Sequence, residues 1–302
     1  MAPYNWFAGR TLCVAVAVVL ALPGPCGAAG VGSPAAAANL RAQYVGLQAE
    51  LAQNAFNQPL VVRSDDSKGR IQGEVFAVVD FSLAQVMQAV NNPTHWCDIM
   101  ILHINTKYCA AKPGPNGTQI TVHIGKKTPE NLVYTKPLML DYQAHPPEPD
   151  YVNIGLSAKD GPIGTSDYEI VLEATALPAG RSFLHLSYAY RVNMMGKLAL
   201  QTYLATAGRS KVGFSVVPGT PGAQSTLTGG VRGVVERNTM RYYLAIIAYL
   251  EAEQLPARDR QEARLLGWIR ATERYPEQLL EMDRSTYLDM KRAELIRQHT
   301  PR

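Results

Sequence analysis

The chain has 302 residues, 47% hydrophobic and 18% charged. That balance is ordinary for a globular protein and excludes global disorder. Lys and Arg number 29 against 25 Asp and Glu, a formal charge of +4. An excess so small and so evenly spread leaves no electrostatic footprint for nucleic acid.

Residues 1–29 have the form of a secretory signal. Arg10 supplies the positive charge, and Thr11–Leu22 is an apolar run too short to cross a bilayer. Pro23-Gly24-Pro25 breaks it, and Cys26-Gly27-Ala28-Ala29 offers small residues for cleavage near Ala28 or Ala29. Export to a periplasm or to the exterior is the expectation. Lipidation at Cys26 is the competing one, and Pro25 departs from the small residue such sites prefer. No later segment is long and apolar enough to span a membrane. Removing the signal leaves Cys97 and Cys109. In an exported chain an even pair is most simply a disulfide, the alternative being two buried thiols. No CxxC or HxxxH spacing accompanies them, so neither a metal nor a cofactor is expected.

Residues 30–57 read as an alanine-rich leader, Val31–Ala38, followed by a helix on which Leu40, Tyr44, Leu47 and Leu51 step by three or four. Leu60–Arg63 and Ile71–Asp80 read as two strands around the turn at Asp65–Gly69. Ser82-Leu83-Ala84-Gln85 has capping-box form and opens a short helix, which Asn91-Asn92-Pro93 ends. Thr94–Cys97 reads as a further turn and Ile101–Cys109 as a strand. Beyond the turn at Pro113–Gly117, apolar residues alternate at Ile120/Val122/Ile124, Leu138/Leu140/Tyr142, Val152/Ile154/Leu156, Tyr168/Ile170/Leu172 and Leu184/Leu186/Tyr188/Tyr190. Strands joined by short turns, each with one apolar face, predict an antiparallel meander with one face on a core. Met194–Ala207 reads as a short helix and Lys211–Val217 as a last strand.

Gly229–Gln254 is the longest helical pattern. Met240, Tyr243, Leu244, Ile247 and Leu250 share a face, and Ile246 with Tyr249 widens the apolar surface. Such a helix needs a large apolar partner, which the strands before it supply. After Pro256 the chain turns charged and amphipathic. Arg258–Arg274 and Met282–His299 read as two helices of a C-terminal appendage, residues 255–302, anchored by Leu265, Leu266, Trp268 and Ile269.

Residues 58–254 thus run strand pair, short helix, antiparallel strands, long helix, and the segments Phe81–Lys107 and Gly229–Leu250 carry a resemblance. Ser82-Leu83-Ala84-Gln85-Val86-Met87-Gln88-Ala89-Val90 and Asn92-Pro93-Thr94-His95-Trp96 resemble the early helix and tryptophan turn of START-like, polyketide-cyclase-like helix-grip domains. The resemblance implies an α+β fold in which a curved antiparallel sheet wraps around the long C-terminal helix. It also implies an enclosed apolar pocket for a lipid, sterol, polyketide or similar ligand. Some members are enzymes and many only bind, and no universal catalytic residue carries over.

Trp96, Tyr108, Tyr142, Tyr188 and Tyr190 are candidate pocket residues, since each ring couples an apolar body to a polar tip; packing without a ligand explains any one of them equally well. Met240, Tyr243, Leu244 and Ile247 are candidates for the helical wall. Arg237 and Arg241 stand out on this apolar helix and are candidates to meet an acidic ligand group through the planar guanidinium fork. Against this stands a structural pairing that involves Glu236 and a strand-end arginine such as Arg191. His103, His123 and His185 have Asp141, Glu169 and Glu173 available, but no spacing fixes a pair. No GxSxG elbow, P-loop or HExxH occurs. The expected function is the binding of a hydrophobic molecule or lipid without chemistry. The alternatives are an enzyme on the same scaffold and an envelope module whose terminal helices bind another protein.

Overall fold

The computed structural model describes residue 1 and residues 34–146, 148–206, 208–217 and 225–300. The signal-peptide reading, apart from Met1, lies outside them. The described residues from Pro34 onward belong to one compact unit.

Eight strands form one antiparallel sheet. They are β1 (Leu60–Asp65), β2 (Arg70–Val79), β3 (Thr106–Gly114), β4 (Gly117–Ile124), β5 (Lys136–Ala144), β6 (Tyr151–Asp160), β7 (Thr165–Leu177) and β8 (Arg181–Val192). Their order is β1-β2-β8-β7-β6-β5-β4-β3, so six strands run as a meander and β8 returns to pair with β2. The period-2 alternation sets the faces. On β8, Leu184, Leu186, Tyr188 and Tyr190 point inward, while Phe183 and His185 point outward.

Both faces are covered. Helix α1 (Pro34–Ala52) lies on the outer face, where Leu40, Leu47 and Leu51 pack with Val61, Phe76, Tyr151 and Phe183. The Tyr44 and Phe183 rings lie 5.2 Å apart. The helix begins inside the supposed leader and buries Ala37, because alanine is the strongest helix former and needs no bulk to fit against the sheet.

Helix α2 (Leu83–Val90) carries the capping box: Gln85 Oε1 accepts from Ser82 N at 2.8 Å, and Ser82 Oγ accepts from Gln85 N. The expected turn after it is a helix, α3 (Pro93–Met100), with Asn92 as N-cap and proline in its first turn. Residues 101–105, expected as strand, are turns that carry Ile101, Leu102 and Ile104 into the core, and β3 starts only at Thr106. Helix α4 (Met194–Ala205) follows the sheet. Of the expected last strand only β9 (Val216–Val217) forms, paired with β10 (Thr226–Leu227).

The long helix, α5 (Gly230–Ala252), sits on the inner face of the sheet in a helix-grip arrangement. It comes close to β2 at Gly73, where a Cβ would stand 2.4 Å from Thr239 Oγ1 and 3.1 Å from the Val235 carbonyl. Only glycine lets helix and strand meet so closely. The opposite side of α5 is covered by α6 (Ala257–Glu273), whose Trp268 donates its indole N–H to the Arg241 carbonyl at 3.0 Å. A short turn of helix, α7 (Pro276–Leu279), leads into α8 (Arg284–His299).

The C-terminal helices of the expected appendage are tied to the sheet by buried charges. Lys107 on β3 and Lys291 on α8 share the carboxylate of Glu294 at 3.0 and 2.8 Å, and all three side chains are buried. Lys291 also donates to the carbonyls of His103 and Thr106, both at 2.7 Å. Burial pushes its ammonium pKa down to about 8, against the pull of Glu294. The apolar anchors of α6 and α8, Leu265, Trp268, Ile269 and Tyr287, are inside the core.

The cysteines are bonded: Cys97 on α3 and Cys109 on β3, twelve positions apart, form a disulfide with Cα atoms 5.2 Å apart. It ties the turn region 101–105 at both ends.

Candidate functional site

Between the inner face of the sheet and α5 the packing leaves a cleft of about 270 Å³. Two strands, two helices and a turn supply its main walls. β7 and β8 supply Tyr168, Tyr188 and Tyr190; α5 supplies Asn238 and Tyr242; α4 supplies Ala199 and Leu200; the turn after α3 supplies His103. Helix α4 reaches over the cleft through a backbone contact, since a Cβ on Gly196 would stand 2.6 Å from the Gly164 carbonyl. Asn193 caps α4 by accepting from Gly196 N at 3.0 Å, and its own N–H donates to the Gly164 carbonyl. A second hollow of about 260 Å³ lies beyond α4 and shares Val192 and Leu200 with the first, so this helix is the partition between them.

The tyrosines form a continuous aromatic wall. Tyr168 stacks on Tyr190 at 5.5 Å, Tyr188 stands 5.5 Å from both Tyr190 and Tyr242, and His103 stacks on Tyr242 at 4.9 Å. Burial raises the pKa of Tyr168, Tyr188, Tyr190 and Tyr242, so the phenols stay protonated and can donate. Tyr168 donates to Thr165 Oγ1 at 3.0 Å. The hydroxyls of Tyr188, Tyr190 and Tyr242 have no hydrogen-bond partner among the described residues.

His103 is the polar centre of this wall. It is 5% exposed. Its Nδ1 accepts from the Asn105 backbone N–H at 3.2 Å, which leaves the proton on Nε2. Burial holds its pKa well below the usual histidine value, and the cations Arg241, Lys291, Lys127 and Lys107 lower it further. The ring is therefore a neutral donor, and its buried Nε2 has no partner among the described residues. Among the residues that line the cleft there is no carboxylate, cysteine or serine.

The residues singled out from the sequence are distributed unevenly about this cleft. Tyr188 and Tyr190 line it. Trp96 and Tyr142 lie elsewhere: the indole N–H and the phenol both donate to the Val90 carbonyl, at 2.8 and 3.2 Å, and so satisfy an orphan acceptor at the C-terminus of α2. Tyr108 is half-buried and meets the His123 ring edge-on at 5.6 Å. Met240, Tyr243 and Leu244 are buried in the core, with Ile247 packed against it, and the side chains of α5 that reach the cleft are Asn238 and Tyr242. Arg237 and Arg241 are buried behind Asn238, whose Oδ1 accepts from Arg241 at 3.3 Å. Glu236 takes no arginine: its carboxylate accepts from the backbone N–H groups of Phe214 and Ser215 and the hydroxyls of Ser64 and Ser215.

Tyr168 and Tyr242 are not among the sequence candidates, and His103 is one only for acid–base work. Tyr168 was readable as an inward residue of a strand that also carries Ile170 and Leu172. His103 was hidden by its assignment to a strand, whereas a turn aims its ring at α5. Asn238 and Tyr242 form an i,i+4 pair beside the face that was chosen.

His185 has the shape of a catalytic dyad but the wrong location. It lies on the outer face of the sheet, where Nδ1 meets Glu173 at 2.9 Å and Nε2 meets Glu74 at 3.0 Å. Its ring stacks on Phe76 at 4.4 Å. Burial alone would lower its pKa; the two carboxylates outweigh this and raise it to about 9, so the ring is an imidazolium held by two acids.

No family model matches the chain, and no curated protein matches it. Solved structures do. Over 61% of this chain and 99% of the other it is similar to Ara h 8.0201, at 13% identity and a TM-score of 0.36. Human StAR-related lipid transfer protein 5 matches 57% of this chain over 90% of its own, at 10% identity and a TM-score of 0.34. The Zhui aromatase/cyclase from Streptomyces sp. R1128 matches 68% over 94% of its own, at 13% identity and a TM-score of 0.33.

Proposed function

We propose that this protein binds a small, largely apolar molecule in the cleft beneath α4 and does so without chemistry. The observation that carries the reading is the buried Nε2–H of His103, a donor without a partner among the described residues at the centre of an aromatic wall. Leaving such a donor unsatisfied costs about 1–3 kcal/mol, which a ligand oxygen would recover. Apolar pockets with a few convergent polar groups are the usual form of small-molecule sites.

The cleft volume sets the ligand's size. A cavity of about 150 Å³ takes one benzene. The present cleft of about 270 Å³ therefore suits a fused ring or a short acyl chain, with more room if α4 shifts toward the second hollow. The lining brings no carboxylate, cysteine or serine to His103, which favours binding over a dyad-type catalysis. The disulfide fits the oxidising compartment that the N-terminal segment implies, and we include export in the proposal.

Native mass spectrometry of the protein purified from its own host, before and after solvent extraction, tests the reading. The expected result is one or a few small apolar species, lost in His103→Ala. A chain that carries nothing from any preparation, and whose cleft takes up no apolar probe, would sink it.

A further inference from the structure

Beside the inner end of the cleft four cations gather around one acid. Arg241 Nη2 and Lys127 Nζ both meet Glu281 Oε1, at 2.8 and 2.7 Å. Arg237 has no carboxylate within ion-pair distance among the described residues; it donates to the Val212 carbonyl at 3.2 Å and to the Tyr203 hydroxyl at 3.5 Å. Lys127 reaches the same hydroxyl at 3.4 Å. Lys211 donates to the Leu280 carbonyl at 2.7 Å and has no carboxylate partner among the described residues.

Arg237 and Arg241 are 1% and 3% exposed, and Arg241 Nε is buried with no hydrogen-bond partner among the described residues. The nearby sequence offers no hidden compensation. Glu236 is already saturated by two amides and two hydroxyls, and the residues outside the described set contain no Asp or Glu side chain. An excess of cations removed from water is expensive unless an anion joins them. These charges act on one another: burial depresses the Lys211 pKa, Glu281 opposes the shift, and Arg241, Lys127 and Arg237 add to it.

The cluster is joined to the cleft at two points. Asn238, a lining residue, is held by Arg241. Tyr203 lies one turn of α4 beyond Leu200 and Ala199, which cover the cleft. We infer that Lys127, Lys211, Arg237 and Arg241 form an anion site for the acidic end, a carboxylate or phosphate, of the molecule whose apolar body fills the cleft. Arg241 Nε and His103 Nε2 are then the unpartnered donors that face this end. The inference rests on the cleft reading and narrows its ligand to a small amphipathic acid.

Calorimetric titration with octanoate, octan-1-ol and inorganic phosphate tests it on the chain from residue 30 onward, as wild type, Lys127→Gln and Arg237→Gln. Octanoate should bind at least about tenfold more tightly than octanol, and most of that difference should vanish in either variant while octanol affinity stays. Without an anion, Arg237→Gln should melt no lower than wild type, because it removes an uncompensated charge. Equal affinity for octanoate and octanol, unmoved by the variants, would overturn the anion site and leave the cleft reading intact. Binding of phosphate alone, lost in the variants, would overturn the link to the cleft and the cleft reading with it. If Arg237→Gln does not fold, Lys127→Gln decides, since its side chain is 28% exposed.

Discussion

Leu244 and Tyr242 are two residues apart on α5 and should respond oppositely to truncation. Leu244 is 3% exposed in the packed core, so Leu244→Ala deletes buried carbons and leaves a void. The cost should be about 2–5 kcal/mol, which lowers the melting temperature by roughly 5–15 °C for a chain of this size. Its side chain does not line the cleft, so affinity for octan-1-ol should not change. Tyr242 is half-buried and lines the cleft. Tyr242→Leu loses ring contacts with Tyr188 and His103, about 1–2 kcal/mol together. It also opens the aromatic wall, and octanol affinity should fall about tenfold. Urea titration and calorimetry on the same preparations give both quantities. If Leu244→Ala loses affinity at little cost in stability while Tyr242→Leu binds normally, the cavity lies on the other face of the helix and the site is misplaced.

Three further outcomes follow from buried groups. His185 is protonated more readily in the folded state than in the unfolded one, so its stabilisation is complete below about pH 6.5 and fades as pH rises through about 9; pH-dependent urea titration should show this decline in wild type and lose it in His185→Gln. Glu294→Gln strands two buried lysines and should cost about 3–5 kcal/mol, whereas a Lys107→Met/Lys291→Met/Glu294→Leu triple variant should fold at near wild-type stability. Reduction of Cys97–Cys109 should cost about 3 kcal/mol through its short loop, and thiol titration of the unfolded, unreduced chain from residue 30 onward should find no free thiol.

The strands were legible because each inner residue meets the core and each outer one meets α1 or water, which writes a period of two into the chain. The Ser82–Gln85 box was legible for the same local reason: its partners are three residues apart. Helix α3 carried a signal too, an Asn N-cap before a proline, but Pro93 was read only as the end of α2. The apolar Ile101, Leu102 and Ile104 looked like strand because sequence does not distinguish a buried turn from a buried strand. On α5 the chosen face was the core-facing one. A helix covered by a sheet on one side and α6 on the other is apolar almost all round, so its periodicity does not reveal where the cavity lies. The positions facing the cleft, Asn238 and Tyr242, are its less apolar ones. Charges carried the least signal: nothing in the spacing of Lys107, Lys291 and Glu294 marks them as partners, yet their pairing buries all three and fixes α8 to β3.

Photo-crosslinking with a diazirine-bearing octanoate, followed by peptide mapping, tests the central claim most directly. The account predicts adducts concentrated on peptides that carry Tyr188, Tyr190, Leu200 and Tyr242, reduced by competing octanoate and by His103→Ala. Adducts spread over the surface, or gathered on the outer face of the sheet around Arg70 and Glu169, would contradict it.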